Sequence, residues 1–303
     1  MLYRLKDRFH RFCFAQACRE VYSTAPLALK ADQPIALLTQ LQHKDVLLFL
    51  IALKSLARFV LLREVLVLND GSLTQQDQET LKKHTLAQIF PIDRFRHPRC
   101  PRGGTWERLL AIAHFNQDRY VIQLDSDTLT RAPVPEVGQH LEHNTAFILG
   151  TWDKQEIEPM RTCCERVQKN HPNPQTLHVQ LAAEAGFSGL KAVDELKYVR
   201  GCSGFCGFPK GTVNLDFIVH FSQAMEAILG AKWHAWGSEQ VMTNVLIANA
   251  PKAAVLPHPD YSDCIKMKEN TRFIHFIGTC RFRGGKYAKE ARQAIAELKR
   301  HAG

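Results

Sequence analysis

The stretch YVIQLDSDTLT, Tyr120 to Thr130, runs five mostly apolar residues into two aspartates separated by one serine. Along an extended strand, side chains two apart point to the same face. Asp125 and Asp127 can therefore aim two carboxylates at one point, with Ser126 turned away. Hard divalent cations such as Mg²⁺ and Mn²⁺ take oxygen ligands, commonly one or two carboxylates together with substrate phosphates. A cation held there would neutralise a diphosphate and stabilise it as a leaving group. The same pair also reads as polar punctuation at a strand end, and an Asp-x-Asp alone does not decide between the two.

A second stretch, FIHFIGTCRFRGGKY from Phe273 to Tyr287, adds weight to the metal reading. It has the form of an apolar strand whose exit presents His275, Gly278 and Arg281. A neutral imidazole can complete a Mn²⁺ shell. Gly278 lets backbone approach a phosphate closely, and Arg281 can clamp phosphate oxygens with two donors. A third stretch, WHAWGSEQVMTNVLIAN from Trp233 to Asn249, places a flexible Trp-Gly turn and a capping Ser238 before a helix. Glu239 and Gln240 would project from its first turn. Taken alone, this third piece is an ordinary helix start.

These residues need elements to position them. PIALLTQL (Pro34 to Leu41) reads as a buried strand and Val46 to Leu62 as the helix after it. EVLVLNDGS (Glu64 to Ser72) is a second strand closed by an Asn-Asp-Gly-Ser turn signal. A polar helix, TQQDQETLKKH, follows, then a short strand in LAQIFPI. Thr105 to Phe115 has helical periodicity and leads into the strand ending at Asp125. Strand and helix in alternation predict a mostly parallel sheet sandwiched by helices. In such sheets ligands sit beyond the carboxyl ends of the strands. Thr39, Gln40, Gln42, Asn69, Asp70, Asp125 and Asp127 all fall at those ends. Residues Thr151 to Arg200 read as an insertion over the sheet, and Lys286 to Arg300 as an amphipathic terminal helix.

The 303 residues are enough for one large α/β domain or two small ones. The net charge of +9, from 39 Lys+Arg against 30 Asp+Glu, suits an anionic partner without selecting one. No nucleic-acid-binding motif accompanies the charge. The nine cysteines are scattered and no pair has CxxC spacing, which predicts free thiols in a reducing, cytoplasmic compartment. The N-terminal MLYRLKDRFHRFCF inserts charges where a signal peptide needs an apolar core. Its Leu2, Leu5, Phe9 and Phe12 fall at helical spacing beside Arg4, Lys6, Arg8 and Arg11. Such a helix suits an anionic inner-membrane surface, through residues 1–22, and equally suits packing on its own domain. Val46 to Leu62 is about one bilayer long, but Lys54 and Arg58 interrupt it. A core helix with two exposed cations is the simpler expectation.

Several motifs occur in an order that resembles the metal-dependent GT-A glycosyltransferases, especially glycosyltransferase family 8, the glycogenin and lipopolysaccharide sugar transferase type. The likeness runs from about Ile35 to Arg281. WERLL resembles the family's aromatic-x-Arg-Leu segment, with Arg108 as its arginine, and LDSD its Asp-x-Asp segment. CSG at Cys202 to Gly204 is similar to its Asn-Ser/Ala-Gly turn and brings in Ser203. EQVMTN resembles Asp-Gln-Asp-x-x-Asn, and HFIGTCR resembles His-x-x-Gly-x-x-Lys. The departures are Gln42 for a nucleotide-binding Asp, Cys202 for Asn, Glu239 for Asp, Val241 for the second Asp and Arg281 for Lys.

The resemblance implies a GT-A, Rossmann-like domain over residues 34–303 behind a helical extension, residues 1–33. It implies sugar transfer from a nucleotide diphosphate sugar, UDP foremost, to a glycan, lipid-linked or protein hydroxyl. Asp125, Asp127 and His275 would hold Mn²⁺ or Mg²⁺. Arg281 and Gly278 would meet phosphate, Arg108 and Ser203 the donor, and Thr39, Gln40, Gln42 and Asp70 the nucleoside. In a retaining enzyme Gln240 would lie beneath the anomeric carbon. WGSEQ also looks like the Trp-Gly-x-Glu turn of some inverting GT-A enzymes, which would make Glu239 a general base. A nucleotidyltransferase would share the carboxylates, but LTQLQHKD lacks the glycine-rich loop expected after its first strand. A non-catalytic nucleotide-sugar or glycan-binding module is the remaining alternative.

Overall fold

The computed structural model describes residues 2–173 and 176–300. The helical spacing of Leu2 and Leu5 beside Arg4 and Lys6 concerns side chains outside those described, and residues 174 and 175 of the expected insertion also lie outside them. The chain begins with α1 (Leu2–Cys18), β1 (Ile35–Leu41), α2 (Val46–Ala57), β2 (Glu64–Asn69), α3 (Gln75–Thr85) and β3 (Gln88–Pro91). It continues with α4 (Trp106–Phe115), β4 (Tyr120–Leu124), β5 (Thr128–Thr130), α5 (Pro135–Glu142), β6 (Phe147–Leu149) and β7 (Glu158–Pro159). Next come α6 (Met160–Asn170), α7 (Val179–Gly186), β8 (Lys197–Tyr198), β9 (Cys202–Phe208), α8 (Leu215–Leu229) and α9 (Ser238–Asn249). The last elements are β10 (Ala254–Val255), β11 (Tyr261–Asp263), β12 (Phe273–His275) and α10 (Lys286–Arg300). The architecture is α/β, with mostly parallel strands flanked by helices, as the alternation predicts.

The chain divides into two compact units, Met1–Pro91 with Leu124–Gly138 and Pro257–Gly303, and Ile92–Gln123 with Gln139–Leu256. In the first unit β1, β2 and β3 are parallel neighbours, Ala36 opposite Glu64 and Leu66 opposite Gln88. Six of the seven β1 residues are buried, so both faces are covered, as a parallel strand between helix layers requires. A smaller sheet orders β11, β12 and β5. Helix α2 is buried from Val46 to Leu56 and packs against β5, α3 and α10. It ends at Ala57, five residues before the apolar run does. Helix α3 starts on a capping box: Asp77 N–H donates to Thr74 Oγ1 at 3.2 Å, and Thr74 N–H to Asp77 Oδ2 at 2.8 Å.

Two expectations fail in this unit. Lys54 is 1% exposed, not a solvent-facing cation. Its ammonium donates to Thr24 Oγ1 at 2.7 Å and to the Ala25 carbonyl at 2.6 Å, and stands 3.2 Å from His84 Nδ1. The segment after α1 supplies these oxygens from outside the helix, which local periodicity cannot reveal. Arg58 behaves closer to expectation, half-buried and paired with Glu297 at 2.5 Å. The thiols are also not all free: Cys264 and Cys280 form a disulfide. Their 16-residue separation gave no sign that β11 and the turn after β12 lie side by side.

In the second unit, neighbouring strands run β10, β6, β9, β4. β10 and β6 are parallel, and β6 and β9 antiparallel. Gly207 on β9 is required by close approach, because a Cβ there would lie 2.3 Å from both Phe147 and the Tyr120 hydroxyl. Helix α9 packs on β9, β8 and α7, and is buried along nearly its whole length. Among the described residues, no helix is long and apolar enough to cross a membrane.

Candidate functional site

Asp125, Ser126 and Asp127 do not extend β4. The strand stops at Leu124, and the three residues form the turn into β5. The carboxylates therefore converge through a tight turn, not through strand alternation. Thr128 Oγ1 closes it by donating to the Asp125 carbonyl at 2.9 Å. β5 then pairs antiparallel with β12, setting His275 opposite Thr128, and Phe276 N–H donates to the Asp127 carbonyl at 2.8 Å. This pairing brings an imidazole 148 residues away in sequence to the turn. His275 Nε2 lies 3.2 Å from Asp127 Oδ1 and 3.6 Å from Asp125 Oδ2.

One ligand atom from each of Asp125, Asp127 and His275 lies within 4.8 Å of the others, the one such three-residue group among the described residues. Two carboxylates and an imidazole suit Mn²⁺, and the oxygen pair suits Mg²⁺. Arg281 Nη2 donates to Asp127 Oδ2, and its Nε donates to the Phe276 carbonyl at 3.2 Å. Burial works against the charge of Asp127, which is 5% exposed, but His275 and Arg281 outweigh it and hold the carboxyl below its ordinary range. Gly278 precedes Arg281 with a φ of +40°, a turn open to glycine and strained for other residues.

An aromatic stack backs this group. The Phe276 and Tyr287 rings lie 4.0 Å apart at 13°, and Phe14 of α1 meets Tyr287 at 4.4 Å. α1 also sends Arg11 to Asp45 at 2.6 Å, and Gln42 Nε2 donates to the other Asp45 oxygen at 2.6 Å. Deleting residues 1–22 would thus remove packing that braces the turn bearing Arg281. Of the expected nucleoside residues, Thr39 is buried and Gln40 half-buried on β1. Thr39 Oγ1 and Gln40 Oε1 are buried atoms with no hydrogen-bond partner among the described residues. Asp70 is exposed and accepts from Ser72 N and Oγ at 2.9 and 2.6 Å.

The other expected residues lie in the second unit. Helix α9 begins at Ser238 with Gly237 at its N-cap, at φ +105°. Ser238 is not the cap; its Oγ accepts from Trp106 Nε1 at 2.8 Å. Glu239, 2% exposed, faces Arg108 Nη2 at 3.6 Å. Its carboxylate also accepts from Thr105 Oγ1 at 2.7 Å and Thr243 Oγ1 at 2.9 Å. Gln240 turns to a different set. Its Oε1 accepts from Ser203 N–H at 3.3 Å, and its Nε2 donates to Gln180 Oε1 at 3.2 Å. Gln180 passes the chain to the Tyr198 hydroxyl at 3.4 Å, and Gln123 Nε2 donates to the Ser203 carbonyl. Sequence reading missed Thr105, Thr243, Gln180, Gln123 and Asp45. Thr243 was findable, being one helical turn after Glu239. The others reach the site from distant segments with no local signal.

No protein-family model matches this chain, and no curated protein matches its sequence. Solved structures do resemble it. The bifunctional glycosyltransferase WbbM, in its apo form, is 13% identical over 89% of this chain and 51% of that one, with a TM-score of 0.49. The mannosyltransferase Ktr4p from S. cerevisiae in complex with GDP is 12% identical, covering 97% and 92%, with a TM-score of 0.41. The galactosyltransferase LgtC, in complex with donor and acceptor sugar analogs, is 10% identical, covering 87% and 96%, with a TM-score of 0.43. The chain spans about half the length of WbbM. At these identities and TM-scores, function rests on the residues of this chain.

Proposed function

We propose that this chain is a metal-dependent glycosyltransferase of GT-A type that takes a nucleotide diphosphate sugar, UDP foremost, as donor. The convergence of Asp125, Asp127 and His275 carries the reading. A divalent cation bound there would screen the diphosphate and stabilise it as it leaves. Arg281 is placed beside Asp127 to add a phosphate clamp, with Gly278 opening the turn to a close approach. Thr39 and Gln40 stand near the carboxyl end of β1, the end at which ligands of such sheets sit, which is what assigns them to the nucleoside side. Gln42 and Asp70 flank them in sequence at the ends of β1 and β2. The acceptor is a glycan, lipid-linked or protein hydroxyl, and nucleic acid is not a partner.

The retaining course is the better supported of the two. A general base must be free to take a proton from the acceptor. The Glu239 carboxylate is instead buried, hydrogen-bonded by two threonines and ion-paired with Arg108. Gln240 is half-buried and takes the role beneath the anomeric carbon, with the Ser203 N–H orienting its amide. Phe9 and Phe12, 63% and 60% exposed on α1 beside exposed Arg8, support peripheral contact with an anionic membrane. The Cys264–Cys280 bridge is the one feature that speaks against a reducing compartment.

A thermal-shift screen of UDP- and GDP-sugars, with and without MnCl₂, tests the assignment, since a ligand of the native state raises its stability. A donor that shifts Tm only with the cation, and is hydrolysed in an EDTA-sensitive reaction, is expected. Binding without hydrolysis would make the protein a nucleotide-sugar-binding module. Absence of any nucleotide- or metal-dependent shift would end the reading.

A further inference from the structure

Trp236 is 74% exposed, the highest value among the described large apolar side chains that reach solvent. Isolated exposed apolar residues are common and need no function. This one differs in what lies next to it. On one side stands His178, whose ring meets the indole edge-on at 5.8 Å and 77°. Gly237 secures that approach, because a Cβ there would come within 2.6 Å of His178 Cε1. On the other side, a Cβ on Gly104 would lie 3.7 Å from the Trp236 Cα and 4.0 Å from its Cδ1. Gly104 belongs to three successive left-handed residues, Gly103, Gly104 and Thr105, with φ of 76°, 55° and 75°. A left-handed threonine is strained, and such strain concentrates at binding and catalytic positions. Here it points the Thr105 hydroxyl at Glu239.

One polar group edges the ring. His178 Nδ1 accepts from the Gln180 N–H at 3.3 Å, which puts the imidazole proton on Nε2, and His178 is exposed. Gln180 holds Gln240. An exposed aromatic face edged by an N–H donor matches one chemistry well. One face of a pyranose presents C–H groups of partial positive charge, which the negative face of an aromatic ring attracts. Its hydroxyls meanwhile need donors and acceptors at the rim.

We propose that Trp236, edged by His178, is the platform on which the acceptor sugar stacks. The proposal rests on the glycosyltransferase reading and identifies the acceptor as a saccharide over a protein or lipid hydroxyl. Methyl glucosides, galactosides and mannosides of both anomers serve as probes at millimolar concentration. Saturation-transfer NMR on the wild type, Trp236→Phe and Trp236→Leu should show transfer to the pyranose C–H protons in the first two only. Of the four tryptophan indole N–H resonances, the one missing from both variants should shift when the bound glycoside is added. Once an acceptor is known, Trp236→Leu should raise its KM by about 10- to 100-fold, with the donor KM moving far less. Equal transfer to the leucine variant, a shift in another indole instead, or no contact by any glycoside overturns the platform. So does movement of the Trp236 resonance with a nucleotide sugar alone, which would assign the ring to the donor. Mn²⁺-dependent nucleotide binding, measured on the same samples, separates the two failures. If it persists, only the platform is lost; if it is absent, the glycosyltransferase reading goes with it.

Discussion

Around Asp125 and Asp127, two carboxylates and an imidazole crowd one point with Arg281 alongside, whereas Glu239 is wrapped by two threonine hydroxyls and an arginine. Both groups are ionisable and largely buried. In the first, Asp127 is held by His275 and Arg281, and Asp125, half-buried at the edge, turns a further oxygen to the same imidazole, so that three ligand atoms share one point. In the second, each carboxylate oxygen has a donor, so nothing more is needed for stability. Three ligand atoms gathered at one point make the first a candidate metal site, whereas Glu239, enclosed by its own donors, reads as a structural group.

The largest effect should come from the crowded pair. Asp125→Asn is expected to lower metal-dependent turnover about 10³-fold, equivalent to several kcal/mol of lost charge stabilisation. Asp125 is half-buried at the edge of the group, so the variant should remain folded. Circular dichroism and steady-state kinetics with Mn²⁺ check both points. Near-normal turnover would return the two aspartates to strand-end punctuation.

Next in size is the contrast within α9. Gln240→Ala should reduce kcat about 10²-fold, as loss of one preorganised polar group typically does. Glu239→Gln should retain turnover to within about 10-fold, yet lower unfolding stability by about 3 kcal/mol by stranding the buried Arg108. Urea unfolding and kinetics on both variants separate the two roles. A dead but stable Glu239→Gln that accompanies an inverted first-formed anomer would make Glu239 the base and collapse the distinction.

The smallest effect concerns Lys54, a buried charge whose hydrogen bonds are to neutral oxygens. Burial lowers its pKa from 10.5 to about 8. The adjacent His84 is also lowered, by burial and then by Lys54, so it stays neutral in the alkaline range. Between about 8 and 10.5 the unfolded chain holds a proton that the native protein has released. Raising the pH through that window therefore favours the native state. Relative to Lys54→Met, the wild type should gain stability from pH 8 to pH 10 in urea titrations. A difference independent of pH would show that the amine is solvated.

The residues of the candidate metal group could be picked out from the chain because each lies in a short local motif. The polar ends of apolar strands located Asp125, Asp127 and His275, and an αβ alternation implied a parallel sheet with its ligands at those ends. The boundaries of α10 were legible from its amphipathic spacing alone. Other features were fixed only by tertiary structure. Periodicity suggested that Asp125 and Asp127 converge by strand alternation, but β4 stops short and the pairing of β5 with β12 does the work. The same sequence logic placed Lys54 in solvent, since a helix pattern does not show which neighbour covers a given face. It treated Cys264 and Cys280 as separate thiols and Ser238 as a cap. Helix periods and strand ends are set by a residue's nearest neighbours along the chain, so the sequence states them directly. Whether Glu239 is a base or a buried strut depends on Thr105 and Arg108, more than 130 positions away, and only packing brings those donors to it.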